Sequence, residues 1–339
     1  MNHRLSRQDL EHFHDEGYLV VEDVLSVADL ALVWAEFEAV LDAAADRLHA
    51  EGRIPERFAT LPFAERYAAI AALCPRIYEF LDITLPVVED MPGDAAINAG
   101  PAIFGLLTNT RVLDVIEDVL GPEITSNPTQ HLRLKLPGAR TNTEGATSWH
   151  QDLAGLLDEA LSSDILTVWM ALTDATVENG CLQVIPGSHR FHGEHLTRHV
   201  IDQPGGANYI PADALAPAKP VPLPVARGGL VLFHKLTHHA SLPNRSDSLR
   251  MSLDLRYQPT GQPTGRPAFP SFVVRSQAAP ETVITNAEAW AAMWETSKQT
   301  ILRGEHPKPI YETARWTNSS SRISSAVLYA SNNEKNHFE

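Results

Sequence analysis

The sequence predicts an α+β fold in which a helical amino-terminal part precedes an antiparallel β sandwich or barrel. Apolar residues follow helical spacing through most of residues 1–120. Residues 124–260 instead contain short apolar or alternating runs, separated by turn residues such as Glu178-Asn179-Gly180. Helices followed by strands at this spacing are typical of an α+β domain.

Four helical segments are expected in the amino-terminal part, over residues 6–16, 26–50, 62–81 and 101–120. Ser6 and Ser26 are suitable amino-terminal caps for the first two, and Gly17 can end the first. The short apolar run Tyr18-Leu19-Val20-Val21 between them predicts a buried strand. These segments carry no pattern that indicates chemistry, so we interpret residues 1–120 as a scaffold.

The core is expected to consist of short strands within residues 124–260, at 129–136, around His150, and at 166–172, 181–185, 229–233 and 250–257. A long connection rich in His, Pro and Gly, residues 187–227, interrupts the strands and predicts a lid or binding insertion. A last helix is expected at residues 286–303, and a polar tail at 316–339. We therefore expect a single domain over residues 1–315.

Composition limits the classes of function. The two cysteines, Cys74 and Cys181, are too few for a disulfide framework, and no apolar stretch reaches membrane-spanning length. The formal net charge of −15 argues against nucleic acid or an anionic membrane surface as the main partner. We expect a cytoplasmic protein that acts on a small molecule, and the sequence carries no signal for an oligomeric state.

The stretch Ser148-Trp149-His150-Gln151-Asp152 is the strongest candidate for chemistry. On an extended strand, His150 and Asp152 project to the same face because side chains alternate. An imidazole beside a carboxylate makes up two thirds of the 2-His-1-carboxylate set that binds non-haem Fe(II). In an extended segment, alternation places His239 on the same face as Ser241. The histidines that compete for the third position are His234, His238 and His239.

An ordered series of motifs extends this pattern. The series is His150-x-Asp152, Asn179-Gly180-x-Leu182-x-Val184-Ile185-Pro186-Gly187-Ser188-His189, Gly228-Gly229, His239-x-Ser241-x-x-Asn244-x-Ser246 and Arg250. In this order the motifs resemble those of the phytanoyl-CoA dioxygenase family of Fe(II)/2-oxoglutarate-dependent oxygenases, over roughly residues 5–260. The resemblance implies a double-stranded β-helix, also called a jelly roll, with helices packed on it from both ends of the chain.

The resemblance also implies roles for individual residues. The implied iron ligands are His150, Asp152 and His239, and Arg250 is implied as the anchor for the distal carboxylate of 2-oxoglutarate. The residues expected beside the cosubstrate or metal are Ser241, Trp169, Gln151 and, from its strand position, His131. The candidates on the substrate side are Arg133 and His189.

Each of the less specific residues has a structural alternative. Trp169 could equally be a core residue, and His189 could make a structural hydrogen bond. Arg133 and Lys135 could form an exposed charged face of their strand, and His238 could be a packed neighbour of the third ligand.

The implied reaction uses Fe(II), 2-oxoglutarate and O₂, and releases succinate and CO₂; ascorbate is expected to support it. The carboxylate of Asp152 favours oxygen chemistry, since related halogenating enzymes have a small residue there. Hydroxylation of a small molecule or secondary metabolite is the default, with desaturation, epoxidation and ring formation as alternatives. Two other classes stay open: a jelly-roll binding module without activity, and a metal-dependent jelly-roll enzyme that uses no 2-oxo acid.

Overall fold

The described part of the chain forms seven α-helices and eleven strands. The computed structural model describes residues 4–86, 91–138, 147–191, 198–200 and 207–305. The helices are α1 (Arg7–Glu16), α2 (Val27–Ala50), α3 (Phe63–Leu73), α4 (Tyr78–Leu81), α5 (Pro101–Leu107), α6 (Thr110–Leu120) and α7 (Ala287–Leu302). Across these ranges, every helix is either too short or too polar to span a bilayer.

Local signals place the ends of the first two helices where the sequence predicts them. The side chains of Ser6 and Ser26 each accept a hydrogen bond from the backbone N–H three residues on, and the aspartates there complete two capping boxes. Gly17 ends α1 in the left-handed region, with φ of 76°.

Two of the predicted helices are each divided. The expected helix over residues 62–81 is interrupted by a 3-10 turn that begins at Pro75, because proline has no N–H to continue the helical hydrogen bonds. The expected helix over 101–120 ends at Leu107 and restarts after Asn109, whose side chain accepts hydrogen bonds from the first N–H groups of α6.

The strands form two larger antiparallel sheets and one hairpin. They are β1 (Tyr18–Val21), β2 (Ile124–Lys135), β3 (Leu166–Ala171), β4 (Leu182–Val184), β5 (Arg198–Val200), β6 (Ala207–Tyr209), β7 (Val221–Leu223), β8 (Leu230–His234), β9 (His239–Ser241), β10 (Arg250–Pro259) and β11 (Phe272–Arg275). The main sheet has the order β1-β8-β3-β10-β2-β11, and the small sheet has the order β7-β4-β9. The strands β5 and β6 pair with each other.

The two faces of the main sheet have different surroundings. The outer face packs against the helices, and its leucines on β2 and β10 join the side chains of α2, α5, α6 and α7 in one large apolar cluster. On the inner face, Trp169, Val231 and Phe233 pack against Leu182 and Leu223 of the small sheet. The space between the sheets is therefore apolar at this end, and it is where sequence-distant strands meet.

The predicted strand around His150 is reduced to a single bridge. His150 pairs with His239 in both directions, with N···O distances of 2.9 and 3.1 Å, and Asp152 then begins a 3-10 turn. Beyond His150 the regular pairing stops, because the segment before His239 turns, with the Thr237 N–H donating to the His234 carbonyl.

The segment 187–227 is not uniformly an insertion. Within it, Val221–Leu223 is a strand of the small sheet that pairs with β4, and Leu223 is buried between the sheets. Residues 192–197 and 201–206 of the expected lid lie outside the described residues, as does the expected tail at 316–339.

Candidate metal centre and its surroundings

Three side chains from separate parts of the chain converge between the sheets. The ligand atoms of His150, Asp152 and His239 all lie within 4.8 Å of one another, and no other described residues form such a group of histidine, cysteine and carboxylate side chains. The bridge between His150 and His239 brings the two rings together, with centroids 4.2 Å apart. The family resemblance implied these three residues as one ligand set, and the structure brings them together.

The histidines are held in one tautomer by backbone carbonyls. Nδ1 of His150 lies 2.8 Å from the Ser148 carbonyl, and Nδ1 of His239 lies 3.0 Å from the Thr237 carbonyl. Each Nδ1 therefore donates a proton, which leaves both Nε2 lone pairs free for a metal ion. Burial lowers the pKa of His150 to about 3, so this ring is neutral near pH 7. The ring of Phe233 stacks on His239 and fixes its plane.

The carboxylate of Asp152 is held by two donors that the sequence reasoning did not identify. Arg256 Nη2 donates to its Oδ1 at 2.6 Å, and the Thr167 hydroxyl donates to its Oδ2. Burial acts to raise the pKa of Asp152, but the charge of Arg256 and the nearby imidazoles outweigh burial, so the pKa lies below its ordinary value. The carboxylate is thus ionised and oriented before any metal ion arrives.

Arg250 lies buried at the start of β10 without a carboxylate partner. No carboxylate within the described ranges is at ion-pair distance from it; Nη1 donates to the Ser252 hydroxyl at 2.7 Å, and Nε is a buried donor with no hydrogen-bond partner. Its guanidinium lies 5.5 Å from the centre of the Trp169 ring. Burial lowers the pKa of Arg250 to about 10, which keeps it charged at neutral pH. A buried, unsatisfied guanidinium of this kind fits an anionic ligand.

A second basic side chain, Lys135, lies next to Arg250, and its burial differs from the sequence interpretation. Lys135 was a candidate for an exposed strand face, yet it is 3% exposed and pairs with Arg250 across β2 and β10. Its Nζ donates to the Ser241 hydroxyl at 2.7 Å and to the Leu242 carbonyl at 2.5 Å. Burial, and after it the charge of Arg250, lowers the pKa of Lys135 to about 6. Alternation along β2 identified its face correctly but not that this face is covered.

The glycine of the Asn-Gly motif makes room for this lysine. Gly180 has φ of +90°, and a Cβ there would lie 2.7 Å from the Lys135 stem and 2.5 Å from the Leu242 carbonyl. The residue must therefore be glycine for both conformational and steric reasons.

Polar residues continue along the inner face of β2 and β10. Arg133 Nε donates to Asp254 at 2.8 Å, and the Arg133 side chain is half exposed. His131 faces Asp254 in the register, and its Nδ1 lies 3.2 Å from a carboxylate oxygen of Asp82. The inner face thus changes from apolar on β8 to charged on β10 and β2.

The remaining candidates lie outside the group of three. Gln151 is buried, and its amide donates to the Leu236 carbonyl at 3.1 Å. His189 Nε2 lies 3.0 Å from the His14 carbonyl, which is the structural hydrogen bond that the sequence left open, and its ring contacts His234. His238 is fully buried and accepts from the Ala216 N–H at 3.3 Å.

Comparison with known proteins agrees with this arrangement. A family model described as phytanoyl-CoA dioxygenase matches residues 13–252. A mouse protein named phytanoyl-CoA dioxygenase domain-containing protein 1 is 35% identical over 159 residues, 46% of this chain and 53% of the mouse protein. The chain thus spans about half the length of that relative. The zebrafish protein of the same name is 28% identical over 73% of this chain and 87% of its own length.

Among solved structures, the non-heme monooxygenase ThoJ is 19% identical, with a TM-score of 0.53, over 87% of this chain and 100% of its own. At this level of identity the similarity concerns the fold alone.

Proposed function

Because the chain belongs to the phytanoyl-CoA dioxygenase family, we propose that it is an Fe(II)- and 2-oxoglutarate-dependent dioxygenase that hydroxylates a C–H bond of a small molecule. The observation that carries the proposal is the position of two buried basic side chains, Arg250 and Lys135, beside a ligand group of His150, Asp152 and His239.

We infer that the two sheets are the halves of a double-stranded β-helix. From β2 onward, the chain passes back and forth between the two sheets. The strands β2, β3, β8 and β10 belong to the main sheet. The bridge at His150 lies between β2 and β3 in sequence, β4 and β7 between β3 and β8, and β9 between β8 and β10, and all of these belong to the other side. The resulting orders, β2-β10-β3-β8 and His150-β9-β4-β7, support a jelly roll closed around the site.

The donor set fits ferrous iron. Two imidazoles and one carboxylate form the facial set that non-haem Fe(II) oxygenases use, and three positions then stay open for other ligands. With iron, 2-oxoglutarate and O₂ bound, the site would supply the oxidising power to insert oxygen into a C–H bond, as 2-oxoglutarate becomes succinate and CO₂.

Arg250 and Lys135 together fit the distal carboxylate of the cosubstrate. Arg250 would give a forked, charge-assisted grip, and its free Nε marks a donor that a ligand can satisfy. Lys135 and the Ser241 hydroxyl lie at the same place and would contact the same carboxylate. Trp169 forms the apolar wall beside them and excludes water.

The substrate is proposed to be a small molecule that enters along the charged inner face of β2 and β10. Arg133 and His131 lie on this face and are retained as substrate-side and site-lining candidates, whereas His189, bonded to the end of α1, is assigned to structure. Desaturation, epoxidation and ring formation use the same cofactors and are the alternative outcomes. A binding module without activity would not need an ionised, doubly held Asp152.

Succinate release tests the proposal. Purified protein supplied with Fe(II), ascorbate and 2-oxoglutarate in air is expected to form succinate above a metal-free control, and a metabolite extract containing the substrate should accelerate it. Asp152→Ala should lose the activity because it removes a ligand. If the folded protein binds neither Fe(II) nor 2-oxoglutarate, the proposed function is wrong and the binding-module alternative stands.

A further inference from the structure

The contact between Arg256 and Asp152 joins a buried guanidinium directly to one of the three ligand residues. Both side chains are buried, at 5% and 7% exposed, and the Nη2–Oδ1 distance is 2.6 Å. The second nitrogen, Nη1, donates to the Thr129 carbonyl at 3.0 Å. The guanidinium is therefore fixed at two points, on the backbone of β2 and on the carboxylate.

An irregularity of the sheet creates this arrangement. In the pairing of β10 with β2, the register shifts between Asp254 and Arg256, so that the residues around Pro128 on β2 bulge. Proline cannot donate a ladder hydrogen bond, and a bulge re-aims the side chains beside it. The Thr129 carbonyl is thereby presented to Arg256, and β10 carries the cosubstrate anchor at one end and this guanidinium six residues on.

The two oxygens of Asp152 are not equivalent. Oδ1 accepts from Arg256 and lies 3.7 Å from Nε2 of His239, so it faces the ligand group. Oδ2 accepts from the Thr167 hydroxyl, whose backbone belongs to β3. Each oxygen of an ionised carboxylate has two acceptor positions, so each oxygen keeps one lone pair, and the lone pair of Oδ1 is on the side of His239.

We propose that Arg256 is a positioning residue for the metal centre: with Thr167, it holds Asp152 so that the carboxylate binds the ion through Oδ1 alone. A carboxylate free to rotate could bind through both oxygens and fill a coordination position that the cosubstrate or O₂ needs. This inference rests on the proposed function, because it concerns how the same centre keeps three positions open.

Metal titration of variants tests the inference without measuring turnover. Anaerobic Fe(II) and Co(II) affinities would be determined for wild type, Arg256→Met, Arg256→Lys and Thr167→Val. Loss of a residue that orients a metal ligand typically weakens metal affinity by about 10–100-fold, which is the result expected for Arg256→Met. Arg256→Lys should recover part of the loss, since lysine can make one of the two bonds but lacks the fork. Thr167→Val, nearly isosteric, should weaken affinity by up to about tenfold.

The d–d absorption of the Co(II) protein gives a readout that a merely structural ion pair would not change. Arg256→Met is expected to shift this spectrum towards higher coordination and to weaken 2-oxoglutarate binding to the Co(II) protein. The matched control is Arg275→Met, which breaks a similar arginine–carboxylate contact, with Asp114 and Glu117, away from the ligand group. It should leave metal affinity and spectrum unchanged.

The outcomes distinguish failure of the positioning role of Arg256 from failure of the proposed function. Wild-type metal affinity and an unchanged Co(II) spectrum in Arg256→Met and Thr167→Val would overturn the positioning role while leaving the proposed function intact. If Arg256→Met does not fold, Arg256→Lys and Thr167→Val decide by the same two measurements. If the wild type itself binds neither Fe(II) nor 2-oxoglutarate, the proposed function fails and this inference fails with it.

Discussion

At the scale of single residues, the structure separates one histidine from its neighbours. His239 has its Nδ1 on a carbonyl and its Nε2 towards Asp152, whereas His234 contacts His189. His239→Ala should abolish Fe(II) binding, because it removes one of three ligands, and His234→Ala should retain it. Fe(II) titration followed by metal analysis of the folded variants checks this. A reversal of the two results would show that the ligand assignment is wrong.

Arg250, the proposed anchor, should determine the affinity for 2-oxoglutarate. A charged hydrogen bond contributes roughly 1.5–3 kcal/mol, and Arg250 can make two to one carboxylate. Arg250→Leu should therefore raise the 2-oxoglutarate concentration needed for half-saturation by about two orders of magnitude or more, since each 1.4 kcal/mol is about tenfold. Arg250→Lys should restore part of the affinity. Unchanged 2-oxoglutarate binding in Arg250→Leu would place the cosubstrate elsewhere.

Lys135 gives 2-oxoglutarate binding a pH dependence. Its pKa of about 6 in the free site means that it is mostly neutral above that pH, and a bound carboxylate favours the charged form. Binding then requires proton uptake, so the affinity should fall by up to about tenfold per pH unit above pH 6. Calorimetric titration of the Co(II) protein between pH 6 and 8, in buffers of different ionisation enthalpy, measures this. Lys135→Met should give weaker, pH-independent binding, whereas a slope equal to that of wild type would assign the proton to another group.

The family resemblance implied His239 as a ligand and Arg250 as the anchor; the structure places His239 in the ligand group, and the role of Arg250 stays a prediction. Alternation placed His150 beside Asp152, where the structure also has them. It failed for Lys135 because alternation shows which residues share a face and not whether another strand covers that face. Arg256 lies on the same face of β10 as Ser252 and Arg250, so alternation along this strand could have placed Arg256 near the site. The sequence around Thr167 has no pattern that indicates a contact with a metal ligand.

At the scale of elements, the caps were predictable and the pairings were not. Capping boxes at Ser6 and Ser26 depend on residues three apart, so the starts of α1 and α2 follow from the sequence. The helix breaks at Pro75 and Asn109 also have local sequence signals, a proline and a capping residue. They were not predicted, because apolar residues follow helical spacing on both sides of each break. By contrast, the single bridge at His150 depends on the turn before His239, almost ninety residues later in the sequence.

Gly17, between α1 and β1, should contribute to the free energy of unfolding. A Cβ on Gly17 would lie 2.3 Å from His189 Nδ1 and 2.8 Å from the Thr237 hydroxyl, in a left-handed backbone. Gly52 has a similar φ of +69°, and no atom lies within 4 Å of its Cβ position. Both alanine variants should lose about 1 kcal/mol from the backbone, and overpacking should cost Gly17→Ala about 1–3 kcal/mol more.

Urea unfolding of the two glycine variants measures this difference. Equal losses of unfolding free energy would show that His189 and its neighbours adapt, and that the contact between α1 and the loop after β4 contributes little.

At the scale of the whole molecule, the site depends on the packing of the main sheet against the small sheet. Its ligands and basic side chains come from β2, the bridge at His150, β9 and β10, which span more than a hundred residues of sequence. The sequence predicted helices followed by antiparallel strands, and this is confirmed by the sheets. Strand order could not follow from periodicity, because non-local pairing is set by packing between faces that only the folded chain brings together.

Because these ligands join separate strands, binding at the centre should stabilise the whole fold. A ligand that binds only the native state at 100 times its dissociation constant adds about 2.7 kcal/mol to the free energy of unfolding. For a chain of this size that corresponds to a rise in Tm of roughly 5 °C or somewhat less. We expect one such increment from Co(II) and a further one from 2-oxoglutarate added to the Co(II) protein.

The variants should separate the two increments in Tm. Arg250→Leu should keep the Co(II) increment and lose the 2-oxoglutarate increment, because its ligand group is intact and its anchor is absent. Asp152→Ala should lose both, since the cosubstrate needs the metal ion as well as the anchor. Differential scanning fluorimetry with and without each ligand measures this. A 2-oxoglutarate increment that persists in the absence of any metal ion would show that Arg250 and Lys135 bind the cosubstrate independently of the metal centre.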